Sequence, residues 1–519
     1  MKRHFNLADL FELVAGAVPD RTAVVAGDER RTYRELDERA NRVASWLRSV
    51  GVGKDDKVAI YSWNRVEWVE AWIGAYKARA VPINVNYRYT ADELRYILDN
   101  SDAMAVVLEA EFLPLLEQVR PDLPLLQSVL VIDGDYEAAL ADASPEPLGE
   151  ERSSDDLYML YTGGTTGMPK GVMWRSEDIF FGAMGGGGPG QPPITTPEEI
   201  VERVAADGTE LTMMITAPMM HGGGQWSGFT SLVGGGKICL HTGHHLDPGE
   251  VWRTIERERC NTLMVVGDAI ARPLVEALTE PGTSYDTSSV FVVGSGGAIL
   301  SKSVKDQLKA HLPNVFVLDS FGASELGAAG RAASEDAGPR FAMDETNTVL
   351  GDDLRPVAPG SGVVGRLARR GHIPLGYYKD ETKSAATFVT DPDGVRWAMP
   401  GDYAVVEEDG SITVLGRGSQ CINTGGEKVY PEEVEAALKS HPDVFDAVVV
   451  GIHDARFGER VAAIVQPRDG RSPGLDDLAD HCRRTIAGYK VPRQVHLVES
   501  IDRTPAGKPD YRKAKALLE

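Results

Sequence analysis

The sequence predicts an α/β protein with a large N-terminal domain of βα-built sheets and a small α+β domain at the C-terminus. Helix and strand signals alternate along the first part of the chain, which is typical of parallel sheets covered by helices. The turn-rich stretches DPDG, EEDG and GRGSQ then cluster within residues 391–420. These stretches separate the first part from a tail that spans residues 421–519 of the 519-residue chain.

The elements of the large domain follow one another in regular order. Thr32 and Glu35 form a capping-box pattern, and apolar residues then recur at helical spacing to Leu47. A second helix is predicted between the first two strands, and a third begins at Ala91. Short apolar runs predict buried strands at residues 57–61, 81–85, 105–108, 290–293 and 315–318.

The tail has its own pattern of elements in βαβ order. Its predicted elements are strands at 447–450, 461–465 and 494–498 and a helix at 475–486. We therefore place a domain boundary at residues 417–420, between domains at 1–416 and 421–519. Within the large domain, the glycine- and proline-rich residues 185–199 predict an exposed loop or a disordered insertion.

Composition and charge restrict the functional class. The 54 basic and 77 acidic residues give a formal charge of −23, which argues against a nucleic-acid or anionic-membrane partner. The four cysteines lack CxxC spacing, so neither a zinc centre nor a disulfide framework is predicted. No apolar run approaches membrane-spanning length. We expect a cytoplasmic enzyme, whose oligomeric state the sequence leaves open, a homodimer included.

The strongest functional pattern is YTGGTTGMPKG at residues 161–171. Glycines let the backbone approach a ligand, exposed N–H groups form an anion site, and Lys170 adds a positive charge. Phosphate is therefore the expected ligand. The pattern is not a Walker A loop, because Met168 and Pro169 separate Gly167 from the lysine and a strand follows. The alternative is a glycine-rich hairpin without a ligand.

Two further turns follow predicted strands, where open sheets bind ligands. DSFGASE, at residues 319–325, offers an aromatic ring that could stack on a base, and Glu325, a carboxylate that could hold Mg²⁺. An ordinary strand-to-loop turn is the alternative. VGSGGA, at residues 293–298, imitates a dinucleotide-binding turn, but Ile299 occupies the position of the third glycine. We therefore reject an NAD site there.

Two weaker patterns lie nearer the C-terminus. Asp402 and Arg417 carry groups that suit ribose hydroxyls, although turn chemistry alone also explains the residues around them. The stretch TPAGK, at residues 504–508, places Lys508 on a glycine turn, where a lysine is usually only solvated.

Together these segments resemble the adenylate-forming superfamily of acyl-CoA synthetases, peptide-synthetase adenylation domains and luciferases. The resemblance covers nearly the whole chain, and the motifs stand in the family's order. YTGGTTGMPKG is similar to the phosphate loop, GSGGA to the adenine-side turn and FGASE to the aromatic-Gly-x-Thr/Ser-Glu motif. GDYAVVEEDGSITVLGR resembles the Gly-Asp to Gly-Arg block, NTGGEKVYPEEVE the opening of the mobile C-terminal domain, and PAGK the catalytic-lysine loop.

The resemblance implies a role for individual residues. Lys508, Thr166 and Glu325 would be catalytic, and the last two would also bind Mg²⁺. Asp402 and Arg417 would bind ribose. The ATP phosphates would be held by Thr162, Gly163, Thr165, Thr166 and Lys170. Adenine would be flanked by Gly296, Gly297, Ala298 and Phe321, with further cofactor contacts from Asp319, Gly322 and Ser324. The pantetheine of coenzyme A would pass Gly425 and Gly426.

The resemblance also implies a reaction in two stages. A carboxylate attacks the α-phosphorus of ATP, pyrophosphate leaves, and Mg²⁺ and lysine neutralise the developing charge. The small domain then rotates about the hinge at 417–420 and withdraws Lys508, and the CoA thiol displaces AMP. The hinge departs from the family's pattern, since Gln420 stands where Asp or Lys is usual and Asn423 replaces a lysine.

The segment MMHGGGQW, at residues 219–226, resembles the family's acyl pocket. Its three glycines remove side-chain volume, so we expect a wide or long pocket. The phrases GMPKGVMW and CINTGGEKVYPEEVE look most like actinobacterial ligases for fatty acids or for polycyclic acids such as steroid side chains. We expect a bulky hydrophobic carboxylic acid as substrate, bound by His221, Gly222, Gly223, Trp226, Gly294 and Gly327.

Three alternatives remain open. The first is an adenylating enzyme that passes the acyl group to an amine or a carrier-protein thiol. The second is an NAD-dependent dehydrogenase, which Ile299 weakens. The third is a non-catalytic nucleotide-binding regulator, which the joint presence of Lys170, Glu325 and Lys508 opposes.

Overall fold

The structure is a computed structural model of the chain. It describes residues 2–162, 168–187, 191–206, 210–298, 300–312, 314–332, 340–342, 345–417, 420–424, 427–454, 458–503 and 509–519. The chain divides into two compact units. The first comprises Met1–Gly297, Gln307–Ala329 and Gly371–Phe388, and the second comprises Ala298–Asp306, Gly330–Arg370 and Val389–Glu519. The predicted hinge includes residues 418 and 419, which lie outside the described residues, so the predicted domain boundaries stay a prediction.

Helices occur along the whole chain. Their bounds are α1 Leu7–Ala17, α2 Tyr33–Ser49, α3 Val66–Lys77, α4 Ala91–Asn100, α5 Leu113–Val119, α6 Tyr136–Asp142, α7 Ser176–Ala183, α8 Glu199–Ala205, α9 Gly222–Val233, α10 Pro248–Glu258, α11 Gly267–Ala277, α12 Lys302–His311, α13 Glu381–Thr387, α14 Pro431–Lys439, α15 Leu475–Cys482 and α16 Tyr511–Leu518. Among the described residues, no helix combines the length and the apolar character needed to cross a bilayer.

Strands interleave with these helices. The first part of the chain contributes β1 Thr22–Ala26, β2 Glu29–Thr32, β3 Lys57–Tyr61, β4 Val81–Asn84, β5 Ala103–Leu108, β6 Ser128–Val131, β7 Leu157–Thr162, β8 Lys170–Arg175, β9 Thr212–Ile215, β10 Lys237–Leu240, β11 Thr262–Val265, β12 Val292–Gly296, β13 Phe316–Ala323 and β14 Gly327–Ala332. The rest contributes β15 Arg340–Ala342, β16 Asn347–Leu350, β17 Gly365–Arg369, β18 Gly376–Tyr377, β19 Phe388–Thr390, β20 Arg396–Ala398, β21 Asp402–Val406, β22 Ile412–Arg417, β23 Ile422–Thr424, β24 Glu427–Val429, β25 Val444–Asp454, β26 Gly458–Pro467 and β27 Gln494–Leu497.

The first unit contains the parallel sheets that the alternating pattern predicts. One sheet runs β13-β12-β11-β9-β10-β1 with every neighbouring pair parallel, and β2 adds an antiparallel edge. A second sheet, β4-β3-β5-β6, is parallel throughout. The third sheet, β18-β8-β7, is antiparallel. Parallel strands need covering on both faces, which explains why their sequences are almost continuously apolar.

A capping box at its N-terminus fixes the start of α2, the helix that packs against α3. Thr32 is the N-cap of α2, and its hydroxyl accepts a hydrogen bond from the backbone N–H of Glu35 at 3.2 Å. The Glu35 carboxylate accepts in return from the Thr32 N–H at 2.7 Å. This reciprocal pair is the predicted capping box, and it satisfies donors that the helix leaves unpaired. Trp68 and Trp72 of α3 are buried in the adjoining core.

The second unit holds the sheet formed by the C-terminal elements. β25 and β26 are antiparallel. β27 follows α15 and pairs parallel with β26, so β26, α15 and β27 form the predicted βαβ unit. The helix predicted at 475–486 is shorter in the structure than in the prediction. It ends at Cys482, where the Arg483 N–H donates to the Ala479 carbonyl as the C-cap. Side-chain patterns specify a strand but not its direction.

The predicted loop at residues 185–199 is exposed at most of the positions that the structure describes, but Gly186, Gly187 and Ile194 are buried. Ile194 is only 2% exposed, and its N–H donates to the Gly186 carbonyl at 3.0 Å. Arg203 of α8 donates to the Gly187 carbonyl at 3.0 Å. One apolar side chain and one guanidinium therefore anchor a largely exposed loop at two points, which composition alone does not show.

Candidate active site

The structure describes the two strands of the predicted phosphate hairpin, β7 and β8, but not its tip at residues 163–167. β7 and β8 pair antiparallel, with Thr162 opposite Lys170 at the end of the ladder. The side chain of Asn84 fixes the end of β7, because it accepts from the Tyr161 N–H at 2.8 Å and donates to the Tyr161 carbonyl at 2.9 Å. The predicted phosphate ligands Gly163, Thr165 and Thr166 lie outside the described residues.

Lys170 contacts two residues from a distant part of the chain. Its ammonium forms an ion pair with Asp380, 210 residues away, and lies 5.8 Å from the centroid of the Tyr377 ring. Asp380 is the N-cap of α13 and accepts from the Lys383 N–H at 2.9 Å. Its hydrogen bond to Lys170, together with the one from Lys383, lowers the pKa of Asp380. Sequence reasoning missed this pair, since nothing local relates the two positions.

Glu325 lies in the turn between two long strands. The predicted strand at 315–318 continues to Ala323, and β14 begins at Gly327, so the predicted loop is a β-turn of a hairpin. The Glu325 carboxylate is 8% exposed and accepts a hydrogen bond at Oε1 from the Tyr377 hydroxyl at 2.8 Å. The indole N–H of Trp174 donates to the Ser324 carbonyl at 3.1 Å and ties the turn to β8.

Two glycines make this turn tight. A Cβ on Gly322 would lie 2.6 Å from the Gly327 carbonyl oxygen, so the two strands approach more closely than a side chain allows. Gly327 itself has φ +70°, a backbone conformation that glycine adopts without steric cost. The structure thus gives both residues a role in placing Glu325, beside the cofactor and substrate roles that the resemblance implies.

The predicted adenine-side residues share one sheet edge. β12 and β13 are parallel, with Ser295 opposite Asp319 and Gly296 opposite Ser320. Asp319 is buried, and Phe321 is half-buried two residues further along β13. Gly297 follows β12 with φ +81°, and Ala298 is the first residue of the second unit. Parallel strands end at the same edge, which brings these two motifs together.

The predicted acyl segment opens helix α9. His221 is its N-cap, and the Trp226 indole N–H donates to the Tyr158 hydroxyl at 3.1 Å. A Cβ on Gly222 would lie 2.8 Å from the Leu160 side chain, whereas a Cβ on Gly223 would meet no atom within 4 Å. Gly223 is therefore the position of this segment that leaves open space.

Gly294 plays a different part in the packing. It lies in β12 opposite Met264 of β11, and a Cβ on Gly294 would overlap the Met264 sulfur. The missing side chain makes room for Met264. The predicted contact of Gly294 with the acyl substrate stays a prediction.

The second unit holds the remaining predicted residues. Asp402 of β21 is buried and is paired in register with Arg417 of β22. Gly425, Gly426, Lys508 and the side chain of Arg417 lie outside the described residues.

The chain on both sides of the Lys508 loop is held by a β-bridge, a hydrogen bond and an ion pair. Arg503 and Pro509 form an antiparallel bridge, and the Asp510 N–H donates to the Asp502 carbonyl at 3.0 Å. The Arg503 guanidinium also pairs with the buried Asp446 of β25 at 2.5 Å. These contacts fix the base of the loop that carries the predicted catalytic lysine.

The donor chemistry near Glu325 suits the predicted metal. Carboxylate and hydroxyl oxygens are the ligands that Mg²⁺ prefers. Glu325 supplies such an oxygen, and Thr166, the second predicted ligand, lies outside the described residues. The buried Glu325 carboxylate therefore fits the chemistry of a magnesium ligand.

Comparison with known protein families assigns the chain to a family. Residues 11–378 match the model of the AMP-binding enzyme family, and residues 433–508 match the model of the AMP-binding enzyme C-terminal domain. The chain therefore belongs to the AMP-binding enzymes, and the predicted membership of the adenylate-forming superfamily is confirmed.

Curated relatives match over the full chain. A 3-oxocholest-4-en-26-oate–CoA ligase from Rhodococcus rhodochrous is 50% identical over 98% of this chain and 95% of its own length. A medium/long-chain-fatty-acid–CoA/3-oxocholest-4-en-26-oate–CoA ligase from Mycolicibacterium smegmatis is 48% identical over 99% and 96%. The medium-chain acyl-CoA ligase Mig from Mycobacterium avium is 43% identical over 98% of each chain.

Solved structures share the fold. The anthranilate CoA ligase AuaEII, in complex with anthranoyl-AMP, superposes with a TM-score of 0.84 at 24% identity, over 99% of this chain and 98% of that chain. ATP-bound MatB from Rhodopseudomonas palustris gives a TM-score of 0.82 at 22% identity, over 98% and 99%. The predicted fold class, a large βα-built domain with a separate C-terminal domain, is confirmed.

Proposed function

We propose that this protein is an ATP-dependent acyl-CoA ligase. It activates a bulky hydrophobic acid, a steroid side-chain acid or a fatty acid, as an acyl-AMP and transfers the acyl group to coenzyme A. The observation that carries this proposal is the 50% identity, over 98% of the chain, to a ligase named for 3-oxocholest-4-en-26-oate. The enzyme class predicted from the sequence, an AMP-forming acid–thiol ligase, is confirmed by the relatives' names. The cytoplasmic location and the homodimer stay predictions.

The first stage needs positive charge around the triphosphate. Lys170 begins β8 beside the tip of the phosphate hairpin, where its ammonium would exchange Asp380 for a phosphate oxygen of ATP. Glu325 and Thr166 would hold Mg²⁺, which supplies charge neutralisation as pyrophosphate leaves. Gly296, Gly297 and Phe321 would enclose adenine, and Asp402 with Arg417 would bind ribose.

The bond-forming step requires two anions to meet. The substrate carboxylate attacks the α-phosphorus, and the P–O bond to pyrophosphate breaks. Lys508 would contact both the carboxylate and the α-phosphate. An ammonium between two anions lowers their repulsion in the transition state, and this effect is stronger in a site that excludes water than in solution. The product acyl-AMP carries a good leaving group on its carbonyl carbon.

The second stage transfers the acyl group. The CoA thiol would enter past Gly425 and Gly426, lose its proton to water and attack the acyl carbonyl as a thiolate, and the C–O bond to AMP would break as AMP leaves. Withdrawal of Lys508 by rotation of the small domain would clear this path. The fixed base of the Lys508 loop would let the loop move with its domain as one body.

A panel of acids tests this function. Purified protein with ATP, Mg²⁺ and CoA is expected to release AMP and form a thioester with 3-oxocholest-4-en-26-oate and palmitate, and to be nearly inactive with acetate. Acyl-CoA is measured by chromatography. Parallel reactions with an amine or a carrier protein in place of CoA test the alternative acceptor. Failure to release AMP with every acid would refute the proposal.

A substitution in the acyl segment tests the site of binding. Gly223→Leu is expected to lower kcat/KM for the steroid acid by at least about tenfold, with a smaller loss for octanoate, because the side chain fills space that a ring system would need. Gly228→Ala, on the same helix α9, is the control, since its Cβ would make only ordinary contacts at 3.6 Å. Equal losses for both acids would remove Gly223 from the pocket.

A further inference from the structure

Tyr377 contacts both the Glu325 carboxylate and the Lys170 ammonium. We propose that Tyr377 is a positioning residue for magnesium binding, which holds the carboxylate of Glu325 in place beside Lys170. This inference rests on the proposed function for the role of Glu325. Tyr377 itself touches neither substrate in the reaction as derived above, so it acts through Glu325.

The hydrogen bond to Glu325 is buried at both ends. The Tyr377 hydroxyl donates to Glu325 Oε1 at 2.8 Å, with Tyr377 5% exposed and Glu325 8% exposed. Among the described residues, the Glu325 carboxylate accepts this one hydrogen bond, and it accepts it at Oε1. The Oε2 atom therefore remains for a metal ion. Outer contacts of this kind orient metal ligands and strengthen metal binding.

The same ring also borders the phosphate-binding lysine. The Lys170 ammonium lies 5.8 Å from the centre of the Tyr377 ring, within the range of a cation–π contact. One side chain thus contacts the predicted metal ligand through its hydroxyl and the predicted phosphate ligand through its ring. The two contacts can be removed separately, because only the first needs the oxygen atom.

The backbone around Tyr377 is fixed by neighbouring elements. Tyr377 of β18 is paired with Val172 of β8, two residues beyond Lys170. Its N–H donates to the Ser384 hydroxyl at 2.8 Å, and that hydroxyl donates to the Asp380 carbonyl at 2.7 Å. A positioning group works only when its own place is determined, and this sheet and helix cap determine it.

The test compares two adjacent tyrosines. Tyr377→Phe removes one oxygen and keeps the ring near Lys170. Tyr378→Phe is the matched control, because its hydroxyl donates to another carboxylate, Asp102, at 2.7 Å. Each variant is titrated with Mg²⁺ in ATP–pyrophosphate exchange, and Mn²⁺ binding to the enzyme–ATP complex is measured by electron paramagnetic resonance without any acid.

Tyr377→Phe is expected to need about tenfold more Mg²⁺ and to bind Mn²⁺ about tenfold more weakly in the ATP complex. Its affinity for metal-free ATP should equal that of the wild type, since the ring still faces Lys170. Tyr378→Phe is expected to change neither metal titration. Unchanged titrations for Tyr377→Phe, or equal shifts for both variants, would overturn the inference.

A double variant separates positioning from general damage to the fold. If the hydroxyl acts through Glu325, adding Tyr377→Phe to Glu325→Gln should cause no further loss of Mn²⁺ binding. A further loss of the same size would show that the hydroxyl acts elsewhere and would overturn the inference. Should the protein show no exchange with any acid, the proposed function fails, yet the Mn²⁺ measurement still decides the role of Tyr377.

Discussion

Lys508→Ala is expected to reduce ATP–pyrophosphate exchange by about 100- to 1000-fold and to leave ATP binding nearly unchanged. The physical reason is that the ammonium contacts groups whose charge develops only as the carboxylate meets the α-phosphate, so its loss raises the barrier more than it weakens the ground state. Exchange with palmitate and binding of ATP by calorimetry measure the two quantities.

The control for this change is a lysine of the same region. Lys513 lies on α16, is 61% exposed and approaches Asp502 only at 3.7 Å. Lys513→Ala is expected to keep wild-type exchange, since an exposed pair of this kind contributes little. Thioester formation from preformed acyl-AMP and CoA should survive in Lys508→Ala, because the adenylation step is bypassed. Unaltered exchange in Lys508→Ala would remove the lysine from its role.

The second large effect concerns stability. Glu70 of α3 is fully buried and accepts hydrogen bonds from Arg31 at 3.0 Å, Arg39 at 2.5 Å and the Tyr136 hydroxyl at 2.9 Å. Glu70→Ala is expected to lower the free energy of unfolding by about 3 kcal/mol, because it leaves buried donors and two guanidinium groups without their shared acceptor. Urea unfolding followed by tryptophan fluorescence measures the change.

An exposed partner of the same network provides the comparison. Glu137 also pairs with Arg39, but its side chain is 64% exposed. Glu137→Ala is expected to cost less than about 1 kcal/mol, since water replaces the lost carboxylate. Similar costs for the two variants would contradict the view that burial makes Glu70 important. Burial also raises the pKa of Tyr136 far above its ordinary value, so this phenol stays protonated and remains a donor.

Much of the fold could be predicted because its signals are local. The strand at Lys57–Tyr61 and the capping box of α2 lie where the sequence places them. Apolar periodicity and cap chemistry act within one or two turns of a helix or one strand, so neighbouring residues contain the information. The antiparallel hairpin beneath the phosphate loop was predictable for the same reason, since two apolar strands flank a glycine-rich tip.

Local patterns missed contacts that the folded chain makes beyond a short stretch of sequence. The glycine and proline content of residues 185–199 predicts an exposed loop or a disordered insertion, and it gives no sign that Ile194 anchors the loop in the core. The strand predicted at 315–318 continues to Ala323 because β14 pairs with it, and a partner strand is invisible to a short window of sequence. The first difference arises from burial in the core, and the second from pairing with the next strand of the same hairpin.

The sequence by itself determined the family, the parallel sheets and the loops that carry the chemical groups, because each motif and each helix or strand is a local pattern and their order along the chain can be read directly. Only the tertiary structure decided how those groups are held. Tyr377 reaches Glu325 across 52 positions, and Asp380 reaches Lys170 across 210. A hydrogen bond depends on the distance between two atoms in space, and the packing of strands and helices sets that distance, whatever the separation along the chain.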